Sequence, residues 1–273
     1  MKIRKLQLLG VTGILILGSL FPCYAQKLPR VQNISVKAPI DIKIDGKTTE
    51  WNDQFQAHNL NNRIYYTIAN DSDNLYLLVR ASDDYANEKA IFGITFKIML
   101  SSEKGGKEKE SVVIRFPIET TAKQLDPIRM PIDRLGEFKK DVGTPVKRID
   151  SLRSIVNKRL NETFKEIGVT GISAISEKSI SIYNTENIKA SAQLNDRSLY
   201  VYELAIPLKF LRGYINNVEK FRYRVIMNGL PGSGPNAPPT IMGNNGLQDL
   251  GSPDIAYVTY ETYFSGEYSL AGK

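Results

Sequence analysis

Cysteine is nearly missing from this chain: among 273 residues there is one, Cys23, close to the N-terminus. Residues 26–273 can therefore form neither a disulfide nor a cysteine metal site. Histidine is as scarce. His58 lies in the polar stretch QAHNLNN, and a histidine triad or zinc site needs partners that this sequence does not offer. No phosphate-binding glycine loop or nucleophile elbow occurs, and no pair of acids stands out among the 29 for glycoside hydrolysis. Excess charge is small too. Lys and Arg number 36 against 29 Asp and Glu, and 33 against 29 once residues 1–25 are set aside. That excess, read as evenly spread, argues against nucleic acid, which leaves a clustered basic stripe.

Long apolar runs are also rare, and the one at residues 8–21 follows Lys2, Arg4 and Lys5 and precedes Cys23-Tyr24-Ala25. This order is that of a secretory signal peptide, with cleavage expected before Gln26 and export to the periplasm, cell surface or medium. A run of about 14 residues falls short of the ~20 that a spanning helix needs, so no transmembrane span is expected in the mature form. Pro22 disfavours reading Leu20-Phe21-Pro22-Cys23 as a lipidation site. Without disulfides, the mature chain must rest on a hydrophobic core, and its length suits one large domain.

What the chain does have is alternation. In residues 64–69 and 75–80, Ile64, Tyr66 and Ile68, then Leu75, Leu77 and Val79, fall on every second position around the turn formers Asn70 to Asn74. Period two is the mark of a half-buried antiparallel strand. Further strand candidates are residues 40–44, 92–100, 112–118, 169–176, 179–183, 188–194, 198–206, 221–228 and 255–263. Residues 101–110 and 231–239 read as loops, and 119–147, with three prolines, as a long irregular excursion. The period changes over 150–167, where Leu152, Ile155, Val156, Leu160, Phe164 and Ile167 recur every three to four residues, which predicts one inserted amphipathic helix. The expectation is an all-β, antiparallel β-sandwich over 38–273 after a short lead at 26–37.

Four segments carry a family resemblance: IDGKTTEW, NDSDNLYLLV, ASDD and YELAIPLKFL, in that order. Together they resemble the carbohydrate-binding modules of family 9 and their DOMON-like relatives, over roughly residues 38–228. The resemblance implies a β-sandwich that, in sugar-binding members, holds a glycan end between aromatic rings, often with a structural calcium nearby. A pyranose stacks its C–H face on a π surface while its hydroxyls need polar partners. The chain departs from that pattern in one respect. The family clamp uses two tryptophans, and Trp51 is the only one here, placed where the motif has a framework residue.

Tyr85, Tyr257, Tyr260, Tyr263 and Tyr268 could replace the missing ring, with Asp83 and Asp84 at the end of a strand as polar partners and Trp51 as a further platform. For a hard cation such as Ca2+, the acids Asp71 and Asp73 with Asn70 and Asn74, and Asp83 with Asp84, supply oxygens on tight turns. Turn chemistry is the preferred reading of the first group. The expected function is an exported, non-catalytic glycan-binding protein. The alternatives are an envelope protein using this scaffold to bind a protein partner, and an enzyme acting on glycosides.

Overall fold

The computed structural model describes residues 27–99, 111–118, 121–211, 220–232, 242–243, 246–247 and 253–272. The expected signal peptide with Cys23, the 101–110 loop and most of the 231–239 loop lie outside these residues. In chain order the elements are β1 (Ala57–Asn59), β2 (Ile64–Asn70), β3 (Asn74–Ala81), α1 (Asp84–Ala90), β4 (Ile94–Met99), β5 (Ser111–Phe116), α2 (Ala122–Lys140), α3 (Val146–Thr163), β6 (Glu166–Thr170), β7 (Ser179–Ser181), β8 (Lys189–Leu194), β9 (Tyr200–Pro207), β10 (Phe221–Met227), β11 (Met242–Gly243), β12 (Gly246–Leu247), α4 (Pro253–Thr259) and β13 (Thr262–Tyr268).

Two antiparallel sheets dominate. One has the order β1-β2-β3-β9-β8 and the other β13-β10-β4-β5-β6-β7. The alternating residues of the first hairpin, Ile64, Tyr66, Ile68, Leu75, Leu77 and Val79, face a core shared with Phe96 and Ile98 of β4, Ile114 of β5 and Tyr223 and Val225 of β10. Two sheets burying one face each against a common core is the arrangement of a β-sandwich. The hydroxyls of Tyr66 and Tyr223 meet across it at 3.1 Å.

The five-stranded sheet buries its other face as well. Trp51, Phe55, Ala69, Tyr76, Leu78, Val201 and Ala205 form a second cluster, against which Leu28, Val36, Ile42 and Ile44 pack. The N-terminal segment thus wraps the sheet's outer side, which is why β9 is buried at all eight positions. Residues 40–44, expected as a strand, pair with nothing: the segment's one ladder contact is a parallel bridge from Lys37 to Asn70. The lead is part of the packed body too, since the amide of buried Gln32 exchanges two hydrogen bonds with the backbone of Ile68, at 2.7 and 2.8 Å.

The expectation of one inserted helix is corrected to two, paired as α2 and α3 beside the sandwich. Residues 119–147 were expected to be irregular because of their prolines, yet Leu125, Ile128, Ile132 and Leu135 recur at helical spacing and are buried. Thr121 and Gln124 form a capping box at the start. Pro127 and Pro131 sit inside α2. Lacking an N–H, Pro131 leaves the carbonyl of Pro127 without its helical donor, and the Arg159 guanidinium of α3 donates to it instead. Helix α3 ends at Thr163, so Phe164 stands at its C-cap and Ile167 lies in β6. A second correction concerns residues 255–263. Residues 253–259 are helical and the last strand is β13.

Candidate functional site

Three of the four resembling segments meet at one buried acid. Glu203, the glutamate of YELAIP, is 1% exposed on the outer face of β9. Its carboxylate accepts the backbone N–H of Asp45 (3.0 Å) and Gly46 (2.8 Å) through Oε2, and the indole N–H of Trp51 (2.8 Å) through Oε1. Gly46 has φ +82°, and a Cβ there would lie 3.0 Å from the Gln193 backbone nitrogen, so only glycine lets this turn close on the sheet. Burial pushes the Glu203 carboxyl up to about 7, against the pull of the three N–H donors. Trp51 packs edge-on against Tyr76, with ring centroids 6.2 Å apart. It is a core residue, not an exposed sugar platform.

The Asn70 to Asn74 segment behaves as a turn. The Asp71 carboxylate accepts the N–H of Asp73 (2.7 Å) and Asn74 (2.6 Å) and the hydroxyl of Tyr76 (2.7 Å). Partial burial opposes its ionisation, but these bonds hold it below the usual carboxylate range. Asp73 is exposed and accepts from Ser72. Among the described residues, no three His, Cys, Asp or Glu side chains gather as a metal-holding group.

At the opposite end of the β2–β3 hairpin, several sequence-selected residues converge on one that was missed, Arg63. Its guanidinium lies 2.5 Å from Asp254 at the start of α4 and 3.8 Å from Asp83 at the start of α1. It also stands over the rings of Tyr257 (4.6 Å) and Tyr85 (5.6 Å). Asp83 caps α1 by accepting the Ala86 N–H at 2.8 Å. Asp84 receives Lys139 of α2 at 2.6 Å. Tyr257 is buried, its hydroxyl donating to the Asn62 carbonyl at 2.7 Å, so its ring supports Arg63 and offers no open face. Tyr85 and Tyr260 remain 39% and 37% exposed.

Beneath them lies Lys89, a second residue that the sequence did not single out. It is fully buried, and its ammonium donates to the carbonyls of Tyr257 (2.5 Å) and Tyr260 (2.6 Å) and to the Thr262 hydroxyl (3.0 Å). The ammonium thereby ties α1 to the end of α4, and burial pushes its pKa down to about 7. A clue existed: Lys89 sits three residues after Ala86 and next to Ala90, on the apolar side of α1. Arg63 gave a weaker one, as the charged residue before a strand.

Not all candidates join this end. Tyr263 lies on the outer face of β13 under Arg224 (4.4 Å), and buried Tyr268 bonds to Val36 and Asn70. His58 belongs to β1, where it stacks on Tyr65 at 4.0 Å. Burial and the nearby charges of Lys27 and Arg80 hold the imidazole below its ordinary pKa. The Arg63 end therefore combines a guanidinium held by two carboxylates with the part-exposed ring of Tyr85, and part-exposed Tyr260 adjoins it through its carbonyl on Lys89. Such a surface can bind hydroxyls through both donors and acceptors while stacking a C–H face. No family model matches the chain, and no curated protein matches it.

Proposed function

We propose that this is an exported carbohydrate-binding protein that takes a glycan end at Arg63, Asp83, Asp254, Tyr85 and Tyr260. One observation carries the reading. Segments 83–85 and 254–260, far apart in sequence, converge on one guanidinium and leave polar atoms beside part-exposed aromatic rings. Sugars are recognised by that combination, because each ring face is apolar and each edge carries hydroxyls that need fixed partners. The motif resemblance to family 9 modules supports the same reading, and calcium enters it as an ion to be tested beside the acids.

A glycan array probed with the secreted protein, with and without calcium, tests this. Binding to a defined glycan is expected, weakened about tenfold or more by Tyr85→Ala and by Arg63→Ala, on the scale of lost hot-spot contacts. Tyr85 is exposed, so its variant keeps the fold. Failure to bind any plant, host or microbial glycan with calcium present would overturn the proposal. A second reading, a scaffold for a protein partner, is favoured by one fact: Asp45, Gly46, Trp51 and Glu203 of the resembling segments are spent on a buried framework.

A further inference from the structure

The geometry points to the tip of the α2–α3 hairpin as a docking surface for an anionic lipid bilayer. Residues 122–163 hold ten Lys and Arg against six Asp and Glu, a surplus equal to that of all residues 26–273, which hold 33 against 29. The cations read as evenly spread in the sequence are thus concentrated on one structural element. At the tip, residues 139–148, four cations face one acid. That acid, Asp141, is spent on the turn itself, accepting from the Gly143 N–H (3.0 Å) and the Thr144 hydroxyl (2.8 Å). Lys139 is bound to Asp84 and Arg148 lies over Phe138, whereas Lys140 and Lys147 have no ion-pair partner among the described residues.

Between these cations stand two valines in water. Val142 is 102% exposed and Val146 71%. An apolar pair at a convex turn, ringed by positive charge, fits one occupant better than another. A specific protein interface needs about 800 Å² per partner and aromatic anchors in pockets, and this turn offers neither. A bilayer needs no complementary shape. Valine side chains can enter the boundary between headgroups and acyl chains while lysines meet the lipid phosphates, the same division of labour as in interfacial helices. Lys139 and Asp84 place the tip beside the Tyr85 end, so a docked molecule holds that end near the lipid surface.

Sedimentation with vesicles tests the proposal, using the protein as the cell processes it. Binding is expected to vesicles of phosphatidylglycerol mixed with phosphatidylcholine, to fall with added salt, and to be absent with phosphatidylcholine alone. The double variant Lys140→Gln/Lys147→Gln should weaken it about twenty-fivefold, from roughly fivefold per cation near an anionic surface. Val142→Asp/Val146→Asp should abolish it while leaving the helical circular dichroism and melting temperature unchanged, because Val142 is fully and Val146 mostly exposed. Absence of binding to anionic vesicles overturns the proposal. So does binding that both variants retain, or equal binding to neutral vesicles. Tip-dependent capture of an acidic protein without vesicle binding assigns the surface to a protein and likewise overturns it.

Discussion

Glu203 and Lys89 are opposite solutions to one problem, and comparing their surroundings separates the framework of this molecule from its candidate binding end. Glu203 accepts three N–H groups and closes the N-terminal wrap over the outer face of the five-stranded sheet. Lys89 donates to three oxygens and closes α1 onto the end of α4 beneath Arg63. Each is a buried charge that replaces water for backbone groups no strand or helix satisfies. The acid is surrounded by three of the four segments that carry the family resemblance. The base lies on α1, which only the fourth resembling segment, ASDD, reaches, through its cap Asp83. Three of the four recognisable segments record how the sheet is covered, whereas the Arg63 end takes only Asp83 and Asp84 from the fourth.

The sharpest way to break this comparison is at Glu203. Glu203→Ala orphans three N–H donors, two of them buried with their bonds, and should cost about 3 kcal/mol in urea unfolding. Trp51 is the only tryptophan, so its emission should shift as the indole loses its acceptor. A loss below about 0.5 kcal/mol would mean that the wrap is held by apolar contacts alone. Lys89→Met keeps the volume but leaves two carbonyls and a hydroxyl unserved, two of the three bonds being part-buried; about 2 kcal/mol is expected. Hydrogen exchange distinguishes the regions: the Lys89 variant should speed exchange in α4 and spare residues 45–46, and the Glu203 variant should do the reverse.

A smaller effect is the pH dependence, where the two groups pull in different windows. Glu203 has its folded pKa raised from 4.5 to about 7, so the stability it contributes is full below 4.5 and is lost as pH rises through 7. Lys89 has its folded pKa lowered from 10.5 to about 7, so its contribution is present above 10.5 and is lost as pH falls through 7. Together they should make stability lowest near neutrality. Thermal melts across pH should show Glu203→Gln flattening the slope between 4.5 and 7, and Lys89→Met the slope between 7 and 10.5. Identical slopes in wild type and variants would falsify the assignment. The least effect, about 0.5 kcal/mol, is expected for Arg159→Leu, because the Pro127 carbonyl it serves can turn to water.

Much of the β framework was legible because alternation is a local property. Ile64 to Val79 needed only the turn formers between them to declare a hairpin, and Tyr200 to Ile206 declared a strand in the same way. Helix α2 was hidden by Pro127 and Pro131, since the group that repairs the broken ladder is an arginine 32 residues away. Helix α4 was hidden by brevity. Seven residues of PDIAYVT do not distinguish a strand from a helix by period, although Pro253 and Asp254 at its start are helix-opening residues. Of the candidate residues, Asp83, Asp84, Tyr85, Tyr257 and Tyr260 do lie together or adjoin at one end, while Trp51, Asp71, Asp73 and Tyr263 lie elsewhere. Arg63 and Lys89, which bring them together, were missed.

By itself the sequence determined which residues of each strand share a face, where the first hairpin turns, and that Trp51 comes after an Asp-Gly turn. These outcomes rest on short-range periodicity and on backbone conformations that only certain residues adopt. The tertiary structure alone decided that Asp45, Gly46 and Trp51 close on Glu203, and that Arg63, Asp83 and Asp254 share one site. Those arrangements depend on contacts between residues up to 191 apart, and such contacts are set by sheet order and by burial of backbone groups, which no local pattern encodes.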